Sequence, residues 1–368
     1  MRVLHLASYD EWTGAAAIAL EETVALRAAG VEAHLAYMGG GELESKLGDR
    51  EYAHPILSKN QDPVSVMRSV RGIRRLHGDI EFDVLHAHLS HDHWLALAAR
   101  PGSPETTLCR TFHAARALRD DGLTRRMIGW TDGIAVSNCS LTELAPLRGL
   151  VAAFLPPAID VERFHSNGVS ARSNYLVPNE CRLLGAIGKI DANRGFEDVI
   201  ETFSLIAERN PRCQLMMIGD GELKDTLIRD IAERGLSNRV TWAGFRDQDL
   251  PEHYRAIDLL LYVAPGSEEG HRAVIEALAC GTPVAAFGVP GLEAVLSDLA
   301  GELVVEEKSP RALGDRAQSL LDAKSESLSS RCVERATEFS RPVAAGRLID
   351  FYEAARQGRR KSLRFDLR

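Results

Sequence analysis

Arg182-Leu-Leu-Gly-Ala-Ile-Gly188, the turn Lys189-Ile-Asp-Ala-Asn-Arg-Gly195 and the run opening Phe196-Glu-Asp-Val-Ile200 decide the fold of this chain. A strand-length apolar run, a polar turn ending in glycine and a helical pattern make one βα unit. A further apolar run near 214–218 turns it into βαβ, whose strands lie parallel in one sheet. The same alternation continues in both directions. Towards the N-terminus, strands are expected near 2–8, 32–37, 83–87, 107–112, 133–137 and 151–155, with a helix from Ala15 to Ala29 stopped by Gly30. Towards the C-terminus, strands are expected near 182–188, 214–218, 239–242, 258–263, 283–287 and 302–305. Helices are expected near 196–209, 222–234 and 268–280, and the end of the chain is helical by pattern over 309–322 and 327–357.

The polar text His165-Ser166-Asn167-Gly168, with Ser170 to Ser173, reads as a linker near 165–181. The expected architecture is therefore α/β with two doubly wound domains, 1–165 and 166–345. A C-terminal helix and basic tail over 346–368 are expected to return to the first domain. Ligands of such sheets sit outside the carboxyl ends of the strands, so the expected site is a cleft between the domains.

A length of 368 residues suits about two hydrophobic cores, and a composition 45% apolar and 26% charged predicts a chain folded throughout. The formal charge of −8 argues against a nucleic-acid binder, which needs a basic face to neutralise phosphates. The six cysteines, Cys109, Cys139, Cys181, Cys213, Cys280 and Cys332, lie far apart without metal-type spacing and read as reduced core thiols. Val3-Leu-His-Leu-Ala7 is too short for a signal peptide, and no apolar run approaches the roughly 20 residues that span a bilayer. The expected localisation is cytoplasmic, with any membrane contact peripheral.

The segment richest in chemistry is Pro265-Gly-Ser-Glu-Glu-Gly-His-Arg-Ala-Val-Ile-Glu276, followed by Ala-Leu-Ala-Cys-Gly-Thr-Pro283. Glu268 would open a helix, and Glu276 would follow about 12 Å along its axis on an adjacent face. The N–H groups of Gly270, His271 and Arg272 would then point at an anion. Taken alone, the glutamates equally describe an acidic helix start and a solvated face. Lys189 and Arg194, taken alone, equally describe surface cations.

The segment from Glu268 resembles the E-x7-E stretch of the retaining glycosyltransferases of family 4, which have the GT-B fold. Where the family runs Glu-Gly-Phe-Gly, this chain has Glu268-Glu269-Gly270-His271. Gly188-Lys189 through Arg194-Gly195 is similar to the family's Gly-Arg-x5-Lys-Gly pattern with the two cations exchanged. Gly219-Asp-Gly-Glu222 and Gly244-Phe245 resemble the turns that the family places at the donor. In the first half, Asp10-Glu-Trp-Thr-Gly14-Ala15 resembles the Gly-Gly loop, and Asp83-Val-Leu-His86-Ala-His88 the Asp-Val-x-His-x-His strand end. Thr111-Phe112-His113 resembles Thr-x-His, while Asp132 to Ser137 and Pro157 to Phe164 complete the likeness over nearly the whole length.

The resemblance implies a metal-independent transferase moving a hexose-type sugar from a UDP- or GDP-sugar to an acceptor hydroxyl with retention, through a front-face displacement, with no other cofactor. Lys189 and Arg194 would hold the diphosphate, Glu268 the transferred sugar, Glu276 the ribose, and His113 would be the third catalytic-site residue. Gly14, Ala15, Gly188, Gly219, Gly244, Phe245, Gly270, His271 and Arg272 would line the donor. His86 and His88 read as structural or acceptor-side. The acceptor is a sugar, a lipid-linked molecule or a small molecule. Arg68, Arg71, Arg74 and Arg75, flanking Val66, Val70 and Ile73, and the tail residues Arg359, Arg360, Lys361 and Arg364 describe either a membrane-facing surface or a solvated helix face and tail. A non-catalytic nucleotide-sugar-binding module and a sugar-nucleotide epimerase are the alternatives; the lack of G-x-G-x-x-G after the first strand weakens a dinucleotide reading.

Overall fold

A computed structural model describes residues 1–12, 14–58, 60–100, 105–264, 270–323 and 326–358. The chain divides into two compact units, the first holding Met1–Ala158 and the segment from Ser340, the second Ile159–Gly266 and His271–Phe339.

The strands of the first unit are β1 (Arg2–Ala7), β2 (Glu32–Met38), β3 (Ala53–Leu57), β4 (Val84–Ala87), β5 (Thr107–Phe112), β6 (Gly133–Val136) and β7 (Ala153–Phe154). They form one sheet in the order β3-β2-β1-β4-β5-β6-β7, with every pairing parallel. β3 is the strand that the sequence pattern missed. Pro55 cannot donate to a ladder, which reads as an argument against a strand, but β3 is at the sheet edge, where proline is tolerated. The second unit holds β8 (Arg182–Ile187), β9 (Cys213–Ile218), β10 (Val240–Gly244), β11 (Leu259–Tyr262), β12 (Val284–Phe287) and β13 (Val304–Val305), ordered β10-β9-β8-β11-β12-β13 and again parallel.

The central strands carry unbroken apolar runs because helices cover both faces. Leu183, Leu184, Leu215, Met216 and Met217 are all fully buried. The helix Phe196–Arg209 buries Phe196, Val199, Ile200, Phe203, Ile206 and Ala207, the i, i+3, i+4 stripe of an amphipathic helix. Its first turn carries Glu197 and Asp198 and its last Arg209, matching the helix dipole at both ends.

Two expected boundaries shift. The second unit begins at Ile159, not 166, and ends at Phe339, not 345: Ile159 N–H donates to the Phe339 carbonyl (2.9 Å), and Ile159, Phe164 and Phe339 are all buried in its core. Nor is the stretch 165–181 a free linker. Ala171–Tyr175 form a short 3-10 turn, Ala171 is buried, and Arg172 pairs with Asp258 at 2.6 Å. The expected helix over 327–357 is two, Glu326–Thr337 and Arg341–Arg356, separated around Phe339 and restarted with Pro342 in the first turn. The second of these lies in the first unit, where Leu348, Phe351 and Tyr352 pack with Val3, Leu26, Val84 and Cys109.

Four cysteines are buried and two half-buried, all as free thiols. No helix among the described residues is long and apolar enough to cross a membrane. In the helix Pro63–Ile80, Val70 and Ile73 are buried while Arg68, Arg71, Arg74 and Arg75 are exposed, and Asp62 caps it by accepting from Val64 and Ser65 N–H. The tail cations Arg359, Arg360, Lys361 and Arg364 lie outside the described residues.

Candidate active site

In the second unit the turns leaving β8, β9 and β10 are bonded to one another. Gly188 N–H donates to the Ile218 carbonyl (3.0 Å), Gly219 N–H to that of Gly244 (2.9 Å) and Ile190 N–H to that of Asp220 (2.9 Å). Gly188 and Gly219 take φ of +151° and +141°, and a Cβ on Gly219 would run into the Gly188 carbonyl oxygen. Only glycine allows backbones to approach this closely at such angles. Gly195, at φ +69°, opens the following helix, and a Cβ there would lie 2.5 Å from Val263 Cγ2 just past β11. The structure thus brings Gly188, Gly219 and Gly244 together at the carboxyl edge of the sheet, beside its switch point between β8 and β11. Lys189 and Arg194 ride on the same turn. Lys189 is exposed, with Nζ 3.1 Å from Asp191, and Arg194 is half-buried. Phe245, 65% exposed, follows Gly244.

The helix after β11 departs from expectation. Residues 265–269, Glu268 among them, lie outside the described residues. The helix is Arg272–Ala279, so Gly270 and His271 precede it and are not part of its first turn. His271 has φ +59°, the left-handed region, at the position where the family pattern has its second glycine. Its ring compensates: Nδ1 lies 2.9 Å from the Tyr262 hydroxyl and Nε2 3.0 Å from the Pro290 carbonyl. The Arg272 guanidinium is directed at the Glu276 carboxylate, with Nε donating to Oε1 at 2.7 Å. Tyr254 O–H donates to the other oxygen of Glu276 at 3.0 Å, and Glu276 is only 5% exposed. The carboxylate is held by two donors the sequence did not reveal as partners. An i, i+4 Arg–Glu spacing was a readable signal for one of them; Tyr254, on a separate helix, had none.

Burial lowers the His271 pKa from 6.5 to about 4. The folded ring is neutral where the unfolded one is protonated, so its contribution to stability is complete above pH 6.5 and is lost as pH falls towards 4. Between pH 7.5 and 4.5 the wild type is expected to lose about 2 to 3 kcal/mol more than His271→Asn, because asparagine tolerates the same backbone angles without titrating. Denaturant unfolding at both pH values measures this difference; parallel losses would contradict it.

In the first unit Ser8, His88 and His113 follow β1, β4 and β5 at the carboxyl edge, with the switch point between β1 and β4. Asp92 joins the two turns there. It accepts from Ser8 N–H and Leu89 N–H (3.2 and 3.1 Å) and from Ser8 O–H at 2.5 Å, and burial raises its pKa to about 6. Gly14 and Ala15 open the helix Gly14–Ala28, with Ala15 6% exposed. His113 Nε2 lies 3.1 Å from His88 Nδ1, while His113 Nδ1 is buried without a hydrogen-bond partner among the described residues. Burial, helped by the Arg110 charge, lowers the His113 pKa to about 3, so its ring is neutral. His88 Nε2 continues the chain to His5 Nδ1 at 2.8 Å, and His86 lies 2.7 Å from both the Tyr352 hydroxyl and Thr111 Oγ1. Glu22 faces these rings. Neither His5 nor Glu22 was legible as a site residue; the one available signal was an acid on a helix face otherwise made of Ala, Ile and Leu.

The comparisons with known proteins agree with this layout. The family profile described as Glycosyltransferase Family 4 matches residues 12–163, and that described as Glycosyl transferases group 1 matches 171–339. The chain is 27% identical over 261 residues to the 2-deoxystreptamine glucosyltransferase of Streptomyces kanamyceticus, covering 68% of this chain and 66% of that one. It is 30% identical over 213 residues to the D-inositol 3-phosphate glycosyltransferase of Segniliparus rotundus, covering 55% and 47%. Each alignment spans less than two thirds of the relative's own length. Among solved structures, HepE of Anabaena in complex with UDP superposes with a TM-score of 0.78 at 17% identity, covering 96% of this chain and all of that one. With a profile matched on each half and this architecture in each unit, the chain belongs to the family 4 glycosyltransferases of the GT-B fold.

Proposed function

We propose that the chain transfers a sugar from a UDP- or GDP-sugar to an acceptor hydroxyl with retention of anomeric configuration and without a donor-bound metal. The observation that carries this reading is the glycine-only contact between the turns after β8 and β9, with Lys189 and Arg194 on the first of them. Such turns admit a diphosphate to the backbone, and the two cations meet the negative charge that grows on it as the glycosidic bond breaks. Glu276, aimed by Arg272 and Tyr254, accepts from the vicinal hydroxyls of the ribose; Phe245 flanks the base; Glu268 receives hydroxyls of the transferred sugar. In the first unit Gly14 and Ala15 allow close backbone approach, and the free Nδ1 of His113 bonds a sugar or acceptor hydroxyl.

Front-face displacement needs no enzymic nucleophile: the leaving phosphate oxygen takes the acceptor proton while the acceptor oxygen bonds the anomeric carbon on the same side. The neutral His113 suits this division of labour, since it orients a hydroxyl without competing for the proton. The relatives named for 2-deoxystreptamine and D-inositol 3-phosphate support a small polyhydroxylated ring as acceptor.

Thermal stability against UDP, GDP, ADP, CDP and dTDP, with and without Mg²⁺, tests the donor half of this reading. A nucleotide at a hundred times its dissociation constant stabilises the fold by about 2.7 kcal/mol. One uridine or guanosine nucleotide is expected to shift the transition without Mg²⁺, and Glu276→Gln to lose most of the shift. Absence of a shift with every nucleotide would overturn the assignment.

A further inference from the structure

The buried histidine cluster of the first unit takes no part in the proposed chemistry, and it has the composition of a metal centre. His5 on β1, His86 on β4, His88 just beyond it and Glu22 on the helix Gly14–Ala28 each present one ligand atom, all within 4.8 Å of one another. Every one of the four is at most 2% exposed. Glu22 Oε2 lies 3.8 Å from His5 Nδ1, 4.0 Å from His86 Nδ1 and 3.7 Å from His88 Nε2. It is buried and has no hydrogen-bond partner among the described residues.

Those distances are too long for hydrogen bonds, so neither a carboxylate nor a protonated carboxyl finds a partner for this oxygen among the rings. They do suit ligands around a shared ion. Bond lengths near 2.0–2.2 Å give edges of about 3.4 Å between ligand atoms of a tetrahedral zinc site, and the four contacts here, counting the 2.8 Å between His5 and His88, straddle that value. The outer nitrogens are also arranged as such a site needs. With Nδ1 as ligand, His86 donates from Nε2 to Thr111 Oγ1 (2.7 Å); with Nε2 as ligand, His88 donates from Nδ1 to His113 Nε2 (3.1 Å). Two bonds have to be exchanged: the 2.8 Å bond between His5 Nδ1 and His88 Nε2 gives up its proton in exchange for the ion, and the Tyr352 hydroxyl, now 2.7 Å from His86 Nδ1 and 3.4 Å from His5 Nε2, leaves the first of these for the second.

We propose that His5, Glu22, His86 and His88 bind one divalent transition-metal ion of the zinc class, a centre separate from the donor diphosphate. The ion supplies the charge that a buried carboxylate among neutral imidazoles lacks. It also fixes a tautomer. With the metal on His88 Nε2, the remaining His88 proton is on Nδ1 and is given to His113 Nε2. His113 then carries its own proton on Nδ1, the atom left free for a hydroxyl. The centre is thus a positioning device for His113, built from residues on three separate elements.

The test needs no knowledge of the donor. Wild-type protein purified without chelator is assayed for metals by mass spectrometry, then stripped and titrated with Co²⁺, whose visible spectrum reports coordination. Close to one equivalent of zinc or a related ion, and the intense absorption bands of four-coordinate cobalt, are the expected results. Glu22→Gln, close in shape but a poor ligand, is expected to retain less than a tenth of the metal and to melt at a temperature that no longer responds to chelator. The proposal is overturned if the wild type neither contains metal nor develops those cobalt bands, or if Glu22→Gln binds metal as the wild type does. A failed nucleotide shift leaves these readouts untouched, so the two readings fail separately.

Discussion

Gly219→Ala is expected to destabilise the second unit by about 3 kcal/mol or more and to abolish nucleotide binding. The methyl group meets the Gly188 carbonyl oxygen, which is backbone and has no rotamer to retreat into. At φ +141° the alanine is strained before any contact is counted. Retreat of the Gly188 turn would break the Gly188 N–H bond to Ile218, and retreat of the Gly219 turn the bond to Gly244. Either movement displaces the loop that carries Lys189 and Arg194. Denaturant unfolding and nucleotide titration of the same variant measure the two effects. Wild-type stability with wild-type binding would show that the two turns do not need their glycines.

Removal of the two cations is expected to do the opposite, sparing the fold and stopping the reaction. Lys189 is exposed and its pairing with Asp191 is on the surface, where substitutions usually change stability by no more than about 0.5 kcal/mol. A donor aimed at developing charge is worth about 10² to 10³ in rate. Lys189→Ala with Arg194→Ala is therefore expected to lower turnover by about 10³-fold or more while unfolding as the wild type does. The conservative exchange Lys189→Arg with Arg194→Lys restores the family's order of charges and is expected to recover part of the activity, since charge is kept while hydrogen-bond geometry changes. Equal activity in the double alanine variant would remove the diphosphate assignment.

The parts of the fold that were legible are those in which local pattern and tertiary role coincide. β8 and the helix Phe196–Arg209 were readable because a fully buried parallel strand is a bare apolar run and a covering helix shows its stripe. β3 was not, because Pro55 carries a local signal against strand that only its edge position overrides. The domain boundary was read at the polar residues after Phe164, yet composition does not report that Ile159 and Phe339 are bonded where the chain enters and leaves the second unit.

The site divides in the same way. The glycines at 188, 219 and 244 were legible because the backbone needs them, and a missing side chain is visible in a sequence. Roles that depend on which side chains meet were not. The backbone N–H groups of His271 and Arg272 were readable as anion donors from their place before an apolar helix, but that the Arg272 guanidinium holds Glu276 and the His271 ring closes onto Tyr262 and Pro290 was not. His5 and Glu22 join His86 and His88 through pairing of β1 with β4 and a helix packed across them, relations that spacing along a chain does not encode.

The most direct measurement is release of nucleoside diphosphate from UDP- and GDP-sugars, with water and then polyhydroxylated ring compounds as acceptors, followed by NMR of the sugar product. The account predicts that one nucleotide is released, that release accelerates with the right acceptor, and that the new linkage keeps the anomeric configuration of the donor. A donor that is bound but never cleaved would mark a binding module, and an altered sugar still attached to its nucleotide would mark an epimerase; either result contradicts the account.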